Sequence, residues 1–275
     1  MPHDVFRRHP TNPILTADDW PTRVNAVFNP GATMFDGETL LLVRVEDRSG
    51  VSRFCVARSR DGVSDWTIED DRGLRPETAS VAEHWGIEDP RITRCEEDYL
   101  IAYTGYSLGG PLVCLASTQD FVSFQRRGIV LAPENKDAAL FPVRFAGGRW
   151  AMIHRPVPQI AGMGAHIWIS FSPDLRHWGA TQMLLAAERG SRWDAGKIGL
   201  GPPPLETDEG WLLCYHGVKA TVAGPIYRIG LALLDRHDPV KVLRRSEEWV
   251  MSPKAPYECD GDVPNVVFPC GWVLD

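Results

Sequence analysis

Residues 28–37 read FNPGATMFDG and residues 88–98 read EDPRITRCEED, and the fold is decided by how often this kind of phrase returns. LFPVRFAGG around Pro142, GPPPLETDEG around Pro204 and DVPNVVFPCG around Pro264 repeat it. Strand-like runs follow the first four: Thr39 to Val45, Tyr99 to Thr104, Trp150 to His154 and Trp211 to Tyr215. The five prolines lie 60, 52, 62 and 60 residues apart. Short strands recurring at a near-constant period, with Gly, Pro and Asp between them and weak helix signals, are the mark of a β-propeller in which each repeat is one blade. The expectation is therefore an all-β chain, a five-bladed β-propeller forming a single domain over residues 1–275. Only about a dozen residues follow Pro264. The last blade is expected to be incomplete at the C-terminus, or to be completed by N-terminal residues such as Thr11 to Thr16.

A second phrase recurs later in the repeats: Ser59-Arg60-Asp61 ahead of Trp66, Ser117 and Asp120 ahead of Phe124, and Ser172-Pro173-Asp174 ahead of Trp178. Ser and Asp close turns by bonding nearby backbone amides, so this phrase is read as blade architecture. Trp193-Asp194 occurs once and outside a repeat, which argues against an interaction propeller of the WD type.

Composition narrows the class of function. The chain is 44% hydrophobic and 24% charged, ordinary for a globular protein, and its formal charge of −7 excludes a general phosphate-neutralising surface for nucleic acid. No run approaches the roughly 18 apolar residues of a membrane span, and MPHDVFRRHPTNPIL lacks a leader's apolar core, so neither nucleic acid nor membrane is an expected partner. The six cysteines form no C-x-x-C pair, and four sit in apolar runs. They are read as reduced, structural thiols in a cytoplasmic protein. No metal site and no cofactor are expected; a homo-oligomer stays open.

If the proline phrase opens the innermost strand of each blade, the next strand returns to the same end of the central channel. The return falls at Arg44, Tyr103, His154 with Arg155, and His216. Asn29, Asp89, the Lys136-Asp137 pair and Asp262 lie just ahead of the prolines. Together these polar residues would ring one mouth of the channel. Singly, each has a plainer reading. Asp89 can be a turn residue ahead of Pro90, Arg44 can pair with exposed acids in RVEDR, His154 can be a satisfied strand residue, and Lys136 and Lys197 can be solvated. Only the coincidence of positions across repeats favours a site.

The ordered motifs FNPGA, LLLVRVEDRSGVSRFCVARSRDG, GIEDPRIT, KDAALFP, MIHRPV, WDAGKIGLGPPP, LLCYHGV, YRIGLALLD and YECDGDVPNVVFPCG resemble glycoside hydrolase family 130, the β-mannoside phosphorylases and β-mannosidases. The resemblance implies a five-bladed propeller with the active site on its axis. It implies that Asp89 is the sole catalytic acid, its proton relayed through the mannose 3-hydroxyl to the glycosidic oxygen. Arg44, Lys136, Arg155, Lys197 and Tyr227, with His154 adjacent, resemble the family's phosphate-binding set; Asn29, Asp137, His216 and Asp262 would contact sugar hydroxyls. The chemistry is coherent. An inverting glycosidase needs a second carboxylate, about 6.5–9.5 Å from the first, to activate water. Phosphate is already an anionic nucleophile and needs cations to hold it, which Arg supplies as a fork and Lys as a point charge. The implied activity is inverting phosphorolysis of β-mannosides, with β-1,4-linked mannooligosaccharides and inorganic phosphate as co-substrates and α-mannose 1-phosphate as product. A hydrolase on the same scaffold and a non-catalytic glycan-binding propeller are the alternatives.

Overall fold

The run Leu40-Leu41-Leu42-Val43 shows how the sheets are built. All four side chains are buried, yet alternate ones belong to different cores. Leu40 and Leu42 pack with Phe54, Val56, Ile87 and Ile101, while Leu41, Val43 and Val45 pack with Trp20, Cys55 and Ala57. A strand turns successive side chains to opposite faces, so an unbroken apolar run is the sequence of a strand buried on both sides.

A computed structural model of the chain describes residues 5–158 and 163–274. The chain forms two units, one of His9–Ala138 with Cys270–Asp275 and one of Met1–Arg8 with Ala139–Pro269. The first unit holds two antiparallel four-stranded sheets in simple meander order: β1 (Ala26–Phe35), β2 (Glu38–Glu46), β3 (Ser52–Ser59) and β4 (Thr67–Glu69), then β5 (Ile87–Cys95), β6 (Asp98–Ser107), β7 (Gly110–Thr118) and β8 (Gln125–Leu131). The third sheet is again a meander, of β9 (Asn135–Leu140), β10 (Trp150–Pro156), β11 (Ile167–Ser172) and β12 (Gly179–Leu185). The fourth, in the second unit, has β13 (Lys197–Leu200) and β14 (Leu205–Thr207) both paired with β15 (Gly210–Thr221), followed by β16 (Gly224–Leu234) and β17 (Val242–Arg245). Gly201-Pro202-Pro203-Pro204 separates β13 from β14, because proline offers no N–H to the ladder. The second unit's core joins Phe141, Ile153, Ile169, Ile198, Trp211 and Leu234.

The fold is all-β, of propeller-type blades, but four sheets form among the described residues where five blades were expected. The fifth phrase starts no sheet. Val266 makes an isolated parallel bridge with Tyr227, Tyr227 N–H donates to Asn265 O, and Val267 N–H donates to Tyr227 O. Pro264 and Pro269 remove amide donors on either side of this segment. Residues 11–16 supply no strand either; Leu15 instead packs against the core beside β2 and β3.

The repeat is real, but its register differs from the proline count. Asn29 and Asp89 have left-handed backbone, φ 48° and 54°, and each sits in a bulge where two residues of the first strand face one of the second. Asp137, φ 53°, holds the same conformation in β9, so the third repeat is keyed by Asp137 and not by Pro142. The turn phrase closes as expected: Asp61, Asp120 and Asp174 each accept from two backbone amides two and three residues on. In the second repeat the hydroxyl partner of Asp120 is Thr118, not Ser117. No helix among the described residues is long and apolar enough to cross a membrane.

Candidate active site

In the first unit the bulges of β1 and β5 point two amide and carboxyl side chains at each other. Asn29 Nδ2 donates to Asp89 Oδ1 at 2.8 Å, and Cys270 Sγ lies 3.8 Å from Asn29 Oδ1. Arg44, returning on β2 opposite Phe28, donates from Nη1 to the same Asp89 oxygen at 3.1 Å and from Nη2 to Glu88 Oε1 at 3.0 Å. Its Nε donates to Ser52 Oγ at 2.9 Å, and its plane stacks 4.3 Å from the Phe28 ring centroid. Lys136 Nζ stands 3.6 Å from Glu88 Oε2. Asn29, Arg44, Asp89 and Lys136 are thus one connected cluster, with Glu88 as its link.

Asp89 is 8% exposed. Burial pushes its pKa up, but the charges of Arg44, Lys136 and Arg91 and the Asn29 hydrogen bond outweigh burial and hold it below the ordinary carboxylate value. Without a ligand the group is ionised at neutral pH. Arg91 is fully buried and donates to Pro90 O at 3.1 Å. Asp137 is buried on β9.

Tyr103 departs from expectation. It faces the bulge at Asp89 and Pro90, but its side chain enters the core, where its hydroxyl donates to buried Glu83 Oε1 at 2.7 Å. Glu83 is also forked by Arg126 at 3.0 Å on each oxygen. Arg44 pairs with Phe28 ahead of the first bulge, and the matching residue in the second repeat is Thr104, paired with Glu88; Tyr103, one residue short of it, turns to the opposite face of the strand.

In the second unit Lys197 and Tyr227 both register with Val218 from the strands flanking β15, and Lys197 Nζ sits 5.2 Å from the Tyr227 ring centroid. His216, 1% exposed, lies with its ring 6.0 Å from Tyr227 and 4.4 Å from Phe268. On β10, His154 and Arg155 are both buried. His154 Nε2 shares a 2.8 Å hydrogen bond with Ser170 Oγ, which in turn meets Thr181 Oγ1 at 2.7 Å. Burial drops the His154 pKa to about 4, so the ring is neutral and can offer an anion a hydrogen bond but no charge. Asp262 is exposed in the bend ahead of Pro264.

Glu88, Ser52, Phe28 and Arg91 escaped the sequence reading. Glu88 and Arg91 stood in the quoted motif, and the available signal was a pair of charges inside a strand otherwise made for burial. All six cysteines are free, as read from their placement.

Residues 4–275 match the family 130 profile, described as β-1,4-mannooligosaccharide phosphorylase. The chain is similar to the β-1,4-mannooligosaccharide phosphorylase of Ruminococcus albus, 34% identical across 99% of this chain and 82% of that one. It is similar to the 1,2-β-oligomannan phosphorylase of a Thermoanaerobacter species, 36% identical across 90% and 81%. Among solved structures, the β-1,2-mannobiose phosphorylase of Listeria innocua in complex with β-1,2-mannobiose superposes with a TM-score of 0.88 and 30% identity, over 98% of this chain and 90% of that one. The chain belongs to glycoside hydrolase family 130 and is an enzyme of the glycoside-phosphorylase type.

Proposed function

We propose that the protein cleaves β-mannosides, β-1,4-linked mannooligosaccharides foremost, by inverting phosphorolysis. The observation that carries the reading is the buried Asp89 carboxylate, paired with Arg44 and held ionised by the charges of Arg44, Lys136 and Arg91. Similarity to phosphorylases acting on β-1,4 and β-1,2 links supports the reaction class, and the profile supports the 1,4 linkage.

In this reading Arg44, Lys136, Arg155, Lys197 and Tyr227 hold phosphate, with neutral His154 as an added hydrogen-bond partner. Asn29, Asp137, His216 and Asp262 address sugar hydroxyls. A phosphate oxygen forms a bond to the anomeric carbon as the bond to the glycosidic oxygen breaks. That oxygen takes the proton of the mannose 3-hydroxyl, and the 3-hydroxyl takes the proton of Asp89. One displacement inverts the β-anomer and gives α-mannose 1-phosphate. Asp89 must therefore be protonated when substrates are bound, although its cations favour the carboxylate in the free protein. Phosphate supplies the change: a dianion beside those cations cancels the charge that lowered the pKa. Six free cysteines suit a reducing compartment such as the cytoplasm.

The finer claim is tested by comparing β-1,4-mannobiose with β-1,2-mannobiose at saturating phosphate. A kcat/KM at least tenfold higher for the 1,4 link supports the proposal, and a preference for the 1,2 link overturns the linkage while leaving the phosphorolysis.

A further inference from the structure

Glu88 precedes Asp89 on β5, and its carboxylate lies between the two proposed phosphate-binding cations of the first unit. Oε1 is 3.0 Å from Arg44 Nη2 and Oε2 is 3.6 Å from Lys136 Nζ, with the side chain 16% exposed. Arg44 is engaged on every side: Nε on Ser52, Nη1 on Asp89, Nη2 on Glu88, with Glu46 Oε2 a further 3.8 Å from Nη2 and Phe28 beneath. An anion arriving here meets cations already held by an anion of the protein.

We propose that Glu88 is an internal stand-in for phosphate: its carboxylate holds Arg44 and Lys136 in place in the phosphate-free enzyme and gives them up when phosphate binds. The inference rests on the reading that these two residues bind phosphate. It explains how two cations beside a low-exposure acid stay ordered without ligand, since each has a carboxylate partner and neither is left as an uncompensated charge. It also sets a cost on phosphate, which must displace a neighbour fixed to the same strand as the catalytic acid.

A charge account carries the argument to Asp89. Arg44, Arg91 and Lys136 face Glu46, Glu88 and Asp89, three charges of each sign. Phosphate adds up to two negative charges, and a freed Glu88 leaves one more unpaired beside Asp89. The group then favours a proton, so phosphate binding and loading of the acid become one event.

The test measures inorganic phosphate binding by calorimetry with the full chain, for the natural protein, Glu88→Gln and Glu88→Asp. Gln keeps the shape without the charge, and Asp keeps the charge but is one methylene too short to span both cations. The expected result is phosphate binding about tenfold tighter in both variants, with sugar KM moving less than threefold; a charge-assisted hydrogen bond is worth that much. Natural protein should take up protons on binding phosphate, read from buffers of different ionisation enthalpy. Unchanged or weaker phosphate binding in both variants, with the natural protein still binding, overturns the role of Glu88 and leaves the phosphorylase reading standing. Absence of phosphate binding in all three overturns that reading and this inference with it. Mannose release that needs no phosphate and is lost in Glu88→Gln would make Glu88 the base of a hydrolase, and overturns the inference as well.

Discussion

Asn29 and Asp89 occupy the same position in two successive repeats, each with left-handed backbone in the bulge of its first strand, and they are hydrogen-bonded to each other, Nδ2 to Oδ1, at 2.8 Å. Asn and Asp are the non-glycine residues that best tolerate this conformation. The repeat thus sets both the strain and the contact, and the bulge aims a carboxylate that a regular strand would place differently.

Asp89→Asn follows directly. Asn tolerates the left-handed backbone as Asp does and keeps the side chain's shape, so the fold should hold while proton donation is lost. Turnover should fall by about 10² to 10⁴ in kcat, the usual worth of general acid catalysis. A variant with a native circular-dichroism spectrum and near-normal kcat would reduce Asp89 to a turn residue.

Arg155, buried on β10, separates anion binding from structural pairing. Arg155→Lys keeps the charge and loses the fork, and at a bidentate site this raises KM for phosphate by roughly ten- to a hundredfold, with much less change in KM for sugar. A sharp fall in melting temperature with phosphate dependence untouched would show an ion-pair partner within the fold.

Tyr103 is assigned the opposite behaviour. Tyr103→Phe removes the hydroxyl donated to buried Glu83 and leaves Arg126 and the Glu77 backbone amide to hold that carboxylate. Stability should drop by about 1–3 kcal/mol in urea unfolding, with kcat and both KM values nearly unchanged. A variant of native stability whose phosphate KM rose would return Tyr103 to the site.

His154 gives a pH signature. Its folded pKa of about 4 lies below the ordinary 6.5, so between these values the unfolded chain binds the proton that the folded chain refuses. Stability is full above 6.5 and falls as pH drops toward 4. His154→Gln should flatten the melting-temperature profile across that window. An unaltered profile would mean that the ring is not buried neutral in solution.

The sequence was most informative where chemistry and period coincide. Four apolar runs after proline phrases identified strands, and the Asp turns closed as read, since a carboxylate accepting local amides is a short-range device. Register was less legible. Pro142 resembles Pro30 and Pro90 in its neighbours, yet follows its strand instead of lying within it, because the residue that keys the bulge is Asp137. Tyr103 was misplaced by one residue, since the register equivalent of Arg44 is Thr104, and one residue along a strand is the other face. Glu88 was hidden differently: next to Asp89, with Arg44 far off in the chain, an acid in a charged motif reads as surface, and only the antiparallel return of β2 shows what it holds.

The central claim, phosphorolysis by one displacement, is tested most directly by following β-1,4-mannobiose with the enzyme in matched buffers with and without inorganic phosphate, the sugar products and their anomeric form read by proton and phosphorus NMR. The account predicts α-mannose 1-phosphate and mannose in equal amounts, only when phosphate is present. Free mannose alone, released at the same rate without phosphate, would contradict it and establish a hydrolase.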